Sequence, residues 1–372
     1  MKEIQLYEHG CGTNLIVKTA GNACDLDCRY CFEKRKSVPH DPMPRRVLER
    51  AIQTVPAPCS LVMHGGEPLI VGHKQFQEYL DLISAYYPEK VNAVRVQTNG
   101  ALLDDEWVEL LFKRNRHLGI EIAISLDGTE QMNSLRTDWN GNNSFNRVLG
   151  AFQLLERYGI RAGMLSVISR QTIQTDGAKE YTELLKSIPN LAFVKINALF
   201  NMEDNELTSD SITPSEYSMF IIELAEWYIK ARLYKRFPLE PVLSILQRMC
   251  SHPSHYCNYS TRKCFHYLSL YPDGSVGPCD CLPIADFFIG YAGCGDLEDA
   301  AIYAVGTGNA LRLRDLIRQC QGCDIYDFCL GGCLSHRYYF TGNPTLSRDF
   351  CESKHTLYRA FRKLGGNAHA VV

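Results

Sequence analysis

Cys24, Cys28 and Cys31 stand in a Cys-x3-Cys-x2-Cys spacing within "ACDLDCRYCF", residues 23–32. Thiolates so spaced can lie on one loop and face one metal centre. A structural zinc site usually closes with four protein ligands drawn from paired Cys-x2-Cys units. A [4Fe–4S] cluster needs one ligand per iron. Three cysteines would then leave one iron open to an exogenous ligand. On this stretch alone, zinc remains the competing occupant.

The 372-residue chain contains 16 cysteines. In a reducing compartment that usage points to metal binding rather than disulfides. Cys11, Cys24, Cys28, Cys31 and Cys59 lie near the N-terminus, and the rest fall between Cys250 and Cys351. A long cysteine-free body separates the two regions. Apolar content of 45% and charged content of 22% are ordinary for a globular protein. A net charge of −3 gives no electrostatic reason to expect nucleic acid or an anionic membrane as partner. No apolar run approaches the roughly 18 residues of a membrane span. "FIIELAEWYI" comes nearest, and Glu223 and Glu226 interrupt it. The N-terminus, MKEIQLYEHGCG, lacks an apolar signal core. The expected location is cytoplasmic.

The elements that must position the cysteines alternate. "NLIVKTA" reads as a strand and leads directly into the first cysteine cluster. Strands at "SLVMHG", "AVRVQTNG", "IEIAISLDG", "AGMLSVIS" and "LAFVKINALF" each precede an amphipathic helical pattern. One helix should stop at Gly159, and another should start with Thr213 as N-cap and Pro214 at N1. The fold class is therefore α/β. Near-continuous apolar strands suit a parallel sheet buried on both faces, and right-handed crossovers curl six units into a partial (β/α)6 TIM-like barrel. Polar residues gather at the strand C-termini: His64-Gly65-Gly66-Glu67, Gln97-Thr98-Asn99-Gly100, Ser125-Leu126-Asp127-Gly128 and Asn197. In a parallel barrel that edge binds ligands, so a shared site is expected there, beside the cysteines.

These features resemble the radical S-adenosylmethionine (SAM) enzymes. The resemblance rests on Cys24-x3-Cys28-x2-Cys31, with Tyr30 and Phe32 around the last cysteine, on "GGEP" at 65–68 and on the six-unit body. It implies that SAM chelates the open iron and yields a 5′-deoxyadenosyl radical. It also implies that Gly66 and Glu67 hold the methionyl amine, with Gly65 in the same cofactor-binding segment, and that Tyr30 packs near the adenine. Ser125 and Arg136 are implied to contact the ribose and carboxylate, and Leu199 the adenine. Gln97, Asn99 and Asp127 complete the expected SAM edge.

Farther on, Cys264-x9-Gly274-x4-Cys279, Cys320-x2-Cys323-x5-Cys329-x3-Cys333 and Cys351 match the cysteine pattern of the SPASM domain, found in radical SAM enzymes that modify peptides. A zinc ribbon at Cys320-x2-Cys323 would leave the other cysteines unexplained. The resemblance implies residues 1–237 as the barrel with an N-terminal extension, and 238–372 as a small cysteine-rich domain with two auxiliary clusters, three [4Fe–4S] clusters in all. Cys257, Cys264, Cys279 and Cys333 would ligate the first, with Cys250 as the alternative to Cys257. Cys320, Cys323, Cys329 and Cys351 would ligate the second. "DGSV" at 273–276 reads as a hairpin turn. Asp280 follows Cys279 in "PCD", which in sulfatase-maturing relatives supplies the substrate base. A carboxylate beside a cluster in a desolvated groove is expected to have a raised pKa.

Two activities compete. One is oxidative crosslinking of a ribosomal precursor peptide, of the carbon–carbon cyclophane type that "HGGEPL" at 64–69 resembles. The other is oxidation of Cys or Ser to formylglycine in a sulfatase. A non-enzymatic iron–sulfur carrier or scaffold is the third reading. Expected partners are the peptide or protein substrate and an external electron donor of flavodoxin or ferredoxin type. No winged-helix leader-binding domain is read before the barrel, so the substrate would dock on the barrel and SPASM surfaces or use a separate leader-peptide-binding protein.

Overall fold

The computed structural model describes residues 4–174 and 176–364. Six parallel strands run in chain order, β1 (Thr13–Lys18), β2 (Cys59–His64), β3 (Val91–Thr98), β4 (Glu121–Ser125), β5 (Ala162–Ile168) and β6 (Leu191–Ala198). The helices between and after them are α1 (Arg45–Thr54), α2 (Gly72–Ser84), α3 (Asp105–Val108), α4 (Phe145–Arg157), α5 (Gly177–Ser187) and α6 (Pro214–Lys230). One face of the strands is apolar and buried, whereas the alternate residues facing the barrel interior are half-buried and include polar groups such as His64, Gln97, Ser125 and Asn197. Leu15, Leu61, Val94, Ile124, Met164 and Val194 are all buried.

The anticipated helix ends are present. Gly159 adopts φ +67° just past α4. At α6, Thr213 Oγ1 accepts from Glu216 N at 3.1 Å, and Thr213 N donates to Glu216 Oε2 at 2.7 Å. This reciprocal pair satisfies two of the helix's first amide donors. After β3 the helical pattern is less regular than its sequence suggests: α3 passes at once into a π-helical stretch, Glu109–Arg114.

Two additions extend the sheet to ten strands. Leu239–Glu240 pairs parallel with β6. Tyr267–Leu270 pairs parallel with the free edge of β1, followed antiparallel by Ser275–Gly277 and Gly290–Tyr291. Gly274, at φ +88°, makes the turn read from "DGSV". Strands from both sides of residue 237 thus share one sheet, and one apolar core runs from the barrel to Leu268, Phe328, Leu357 and Phe361. The helix Pro344–Leu364 packs along α6. Among the described residues, no helix is long and apolar enough to cross a membrane.

Candidate functional site

The loop after β1 carries Cys24, Cys28 and Cys31 over the C-terminal edge of the sheet. Asp27 N donates to Thr137 O at 2.7 Å and Arg29 N to Leu135 O at 3.0 Å, pinning the loop to the segment after β4. On the other side Gly66 N donates to Gly21 O at 2.9 Å and Glu67 N to Ala23 O at 2.8 Å. A Cβ on Gly66 would lie 2.1 Å from the Ala23 carbonyl oxygen. The glycine therefore allows close approach of two backbones, one of them the cysteine loop itself. Burial pushes the Cys24 thiol up to about 12, and it raises Cys28 against the opposing charge of Arg136. These thiols lose their protons readily only to a cation.

The strand-end residues divide into brackets and open groups. Glu67 is fully buried, accepting from Thr98 Oγ1 at 2.6 Å, Asn99 N at 2.7 Å and Leu69 N at 3.0 Å. Burial raises it to about 7 against those three hydrogen bonds. Its side chain fastens the β2 turn to β3. Asn99 Nδ2 reaches Asp25 Oδ1 at 2.7 Å and Cys24 Sγ at 3.7 Å. Asp127 accepts from Tyr30 OH at 2.5 Å and Val167 N at 2.9 Å, and Arg136 Nη1 donates to the same Tyr30 OH at 2.9 Å. Tyr30 is thus held through its hydroxyl from two sides. The Ser125 hydroxyl and the Gln97 amide have no hydrogen-bond partner among the described residues. Gly65, at φ +131°, completes the β2 turn. Leu199 is buried, and its backbone bonds Ile168 and Ile212. Asn197 accepts from Tyr256 OH at 3.3 Å.

Beside this edge lies a cluster that the sequence did not announce. Lys18, the last residue of β1, is fully buried. Its Nζ lies 2.5 Å from Glu33 Oε1, 2.8 Å from Asp280 Oδ2 and 3.1 Å from His64 Nδ1. Lys36 Nζ adds Glu33 Oε1 at 2.9 Å and the Asp280 carbonyl oxygen at 2.8 Å. Burial alone would raise the Asp280 carboxyl. Lys18, His64 and Lys36 override it and hold the group well below the usual carboxylate range. The raised pKa expected for a substrate base is therefore corrected: Lys18 pairs with this carboxylate, and Lys36, bonded to the Asp280 backbone carbonyl, adds its charge nearby. Burial, then the Lys18 charge, lowers His64 to about 4 and keeps it neutral. The available signal was register. Lys18 and His64 are paired residues of β1 and β2, so a lysine ending an apolar strand had to meet the histidine of "HGG".

The C-terminal thiols form two neighbourhoods. Burial raises Cys257 and Cys264; Cys333 raises both further, and Cys257 adds to the rise at Cys264. Cys279 is raised chiefly by Cys281, then by burial, with Cys264 among its neighbours. For Cys333, burial is overridden by His336 and Ser335, bringing it down to about 5. Separately, Cys329 has Cys320 and Cys351 as neighbours, and Cys351 has Cys320 and Cys323. The thiols of the two quartets that the resemblance implies thus fall into two separate neighbourhoods. Cys257 rather than Cys250 joins the first, since Cys250 is exposed at the end of the helix Val242–Met249.

A family model described as the Radical SAM superfamily matches residues 19–178. This chain carries a radical SAM domain. The cysteine-type anaerobic sulfatase-maturating enzyme of Clostridium novyi (strain NT) is 27% identical over 367 residues, 91% of this chain and 92% of that protein. The serine-type enzyme of Klebsiella aerogenes is 26% identical over 341 residues, 87% of this chain and 80% of that protein. A solved structure of anSMEcpe with bound AdoMet and a peptide has a TM-score of 0.80 at 23% identity, covering 97% of this chain and 100% of that one. Streptococcus suis SuiB bound to S-adenosylmethionine has a TM-score of 0.57 at 17% identity, covering 88% and 74%. The radical SAM fold, an α/β architecture on a parallel sheet, is common to them.

The residues around the cysteine loop fit what a radical SAM domain holds, an iron–sulfur cluster and SAM. Among the buried polar atoms near the loop without a partner among the described residues are the acceptor Asp25 Oδ2 and the donor Arg136 Nε. Unpaired buried groups of this kind are costly. The ammonium and carboxylate of a methionyl group carry the complementary chemistry, and Arg136 offers a planar fork suited to a carboxylate.

Proposed function

We propose that this chain is a radical SAM enzyme that oxidises a side chain of a peptide or protein by two electrons, with a carbon–carbon crosslink of the cyclophane type as product. When bound, the cluster and SAM supply a 5′-deoxyadenosyl radical able to abstract hydrogen from an unactivated C–H bond. Cys24, Cys28 and Cys31 would hold that cluster. Arg136 and Asp25 would orient the methionyl group, Ser125 and Gln97 offer unspent polar groups toward the ribose, and Tyr30, Gly65, Gly66, Glu67, Asn99 and Asp127 keep the edge in shape. The quartets Cys257, Cys264, Cys279, Cys333 and Cys320, Cys323, Cys329, Cys351 would hold two auxiliary clusters, making three in the protein. After hydrogen abstraction the substrate gives up one electron and one proton. A closed cluster near the groove suits the electron, and an external donor of flavodoxin or ferredoxin type suits reduction of the first cluster. A separate leader-peptide-binding protein would bring a precursor peptide to the barrel edge.

The observation that carries the crosslinking reading is the ion pair between Lys18 and Asp280, at 2.8 Å with Lys18 fully buried. The carboxylate that formylglycine formation would use as base is committed to a lysine. Crosslinking to an aromatic ring releases its proton from the rearomatising ring, where water or another group can take it. Formylglycine formation remains the second reading, supported by similarity to sulfatase-maturating enzymes over nearly the whole chain. Tandem mass spectrometry of a precursor peptide encoded beside this gene separates the two. A crosslink removes two hydrogens and suppresses fragmentation between the joined residues. A formylglycine product reacts with a hydrazide probe, and finding that product would overturn the crosslinking reading.

A further inference from the structure

Three buried cations lie among the C-terminal thiols with no carboxylate partner among the described residues: Lys263 (2% exposed), Lys354 (6%) and Arg337 (8%). Lys263 Nζ donates to the carbonyl oxygens of Cys257 at 2.8 Å and Gly332 at 3.0 Å. An ammonium has three donors, so one remains after both carbonyls. Lys354 Nζ makes no hydrogen bond among the described residues. It sits 5.5 Å from the Tyr259 ring centre and 5.1 Å from that of Phe350, and borders a cavity shared with Cys333 and His336. Arg337 Nη1 donates to Cys320 Sγ at 3.1 Å.

Lys263 precedes Cys264 and ties the Cys257 carbonyl to that of Gly332, next to Cys333, so it sits in the first quartet. Lys354 lies one helical turn from Cys351 and borders the cavity that Cys333 lines, so it faces both quartets. An isolated buried ammonium is expensive, so such a pair needs anions nearby. Four thiolates around an iron–sulfur core leave net negative charge and would meet that need.

We propose that Lys263, Lys354 and Arg337 are built-in counter-cations of the two auxiliary clusters, positioned to raise their reduction potentials. This rests on the reading that the quartets hold clusters. Positive charge beside a cluster favours its reduced, more negative form, and net charge and hydrogen bonds to sulfur both set such potentials. Lys263 acts on the first cluster, Lys354 on both, and Arg337 on the second through Cys320. None of the three is assigned contact with substrate; they are positioning residues.

The test is an EPR-monitored redox titration of the anaerobically reconstituted full chain, with Cys24, Cys28 and Cys31 changed to Ala so that the auxiliary clusters alone give the signal. Lys354→Met should lower at least one midpoint enough to cut the one-electron reduction equilibrium about tenfold or more, at about 59 mV per tenfold. Lys354→Arg should return it to near the parent value. Lys263→Met and Arg337→Leu should shift midpoints in the same direction. Lys263→Met also unties two ligand loops; if that variant loses iron, Lys354→Met, which breaks no hydrogen bond, settles the matter. Unchanged midpoints in Lys354→Met and Arg337→Leu, with about eight irons retained, would overturn the inference and leave the cluster reading standing. A background protein that binds no iron would overturn the cluster reading, and this inference with it.

Discussion

Lys18 Nζ lies 2.8 Å from Asp280 Oδ2, joining the end of the first barrel strand to the residue after Cys279, 262 positions away in sequence. The same ammonium binds Glu33, two residues past Cys31. One buried cation thus ties the loop of Cys24, Cys28 and Cys31 to the residue after Cys279, and it pairs with the carboxylate that the formylglycine reading proposes as base.

Asp280→Asn keeps the side chain's size and removes its charge. SAM cleavage should be unchanged and product formation should stay within about tenfold of the parent, because a carboxylate paired with Lys18 is not the proton acceptor. A loss of about 100-fold or more with SAM cleavage intact, the range for a lost general base, would restore Asp280 to that role and strengthen the formylglycine reading.

Lys18→Met leaves the buried carboxylates of Glu33 and Asp280 short of a cation. Breaking a buried pair from one side costs about 3–5 kcal/mol. Denaturant unfolding of the metal-free protein should show a loss of that order; a change under about 0.5 kcal/mol, the usual surface value, would mean that the pair is not closed in solution.

Much of this was readable in advance, for local reasons. The six strands announced themselves because each has one fully buried apolar face, and the cap at Thr213 and the stop at Gly159 because helix ends have strict chemical needs. The cysteine triplet stood out by spacing, while the division of the later cysteines into two quartets was implied by the family resemblance. What stayed hidden was long-range. Nothing local in "YLSL" says that Tyr267–Leu270 pairs beside β1, and it is this pairing that brings Asp280 to Lys18. Glu67 was legible as a site residue, but not as a bracket, since its partners Thr98 and Asn99 lie on another strand. Asp25, hidden inside the cysteine motif, gave no separate signal.

Glu67 gives a pH signature. Its folded pKa of about 7 exceeds the ordinary 4.5. The stability that its protonated form provides is present below about 4.5 and is lost as pH rises through about 7. The metal-free protein should therefore weaken across that window, and Glu67→Gln, which keeps the shape without the charge, should remove the slope. An identical pH dependence in the two proteins would refute the assignment.

Arg136→Leu should raise the Kd for SAM about tenfold or more, the scale of losing a hydrogen bond to a charged group. Arg136→Lys should recover only part of it, because the planar fork is lost. Equilibrium dialysis against labelled SAM reads both, and unchanged affinity in Arg136→Leu would remove the residue from the site.

The central claim is that Cys24, Cys28 and Cys31 hold the cluster that cleaves SAM. The reconstituted protein should contain about twelve irons and form 5′-deoxyadenosine with dithionite, while the Cys24→Ala/Cys28→Ala/Cys31→Ala protein should retain about eight and form none. Iron content together with 5′-deoxyadenosine yield for that pair is the most direct measurement, and continued formation of 5′-deoxyadenosine by the triple variant would contradict the account.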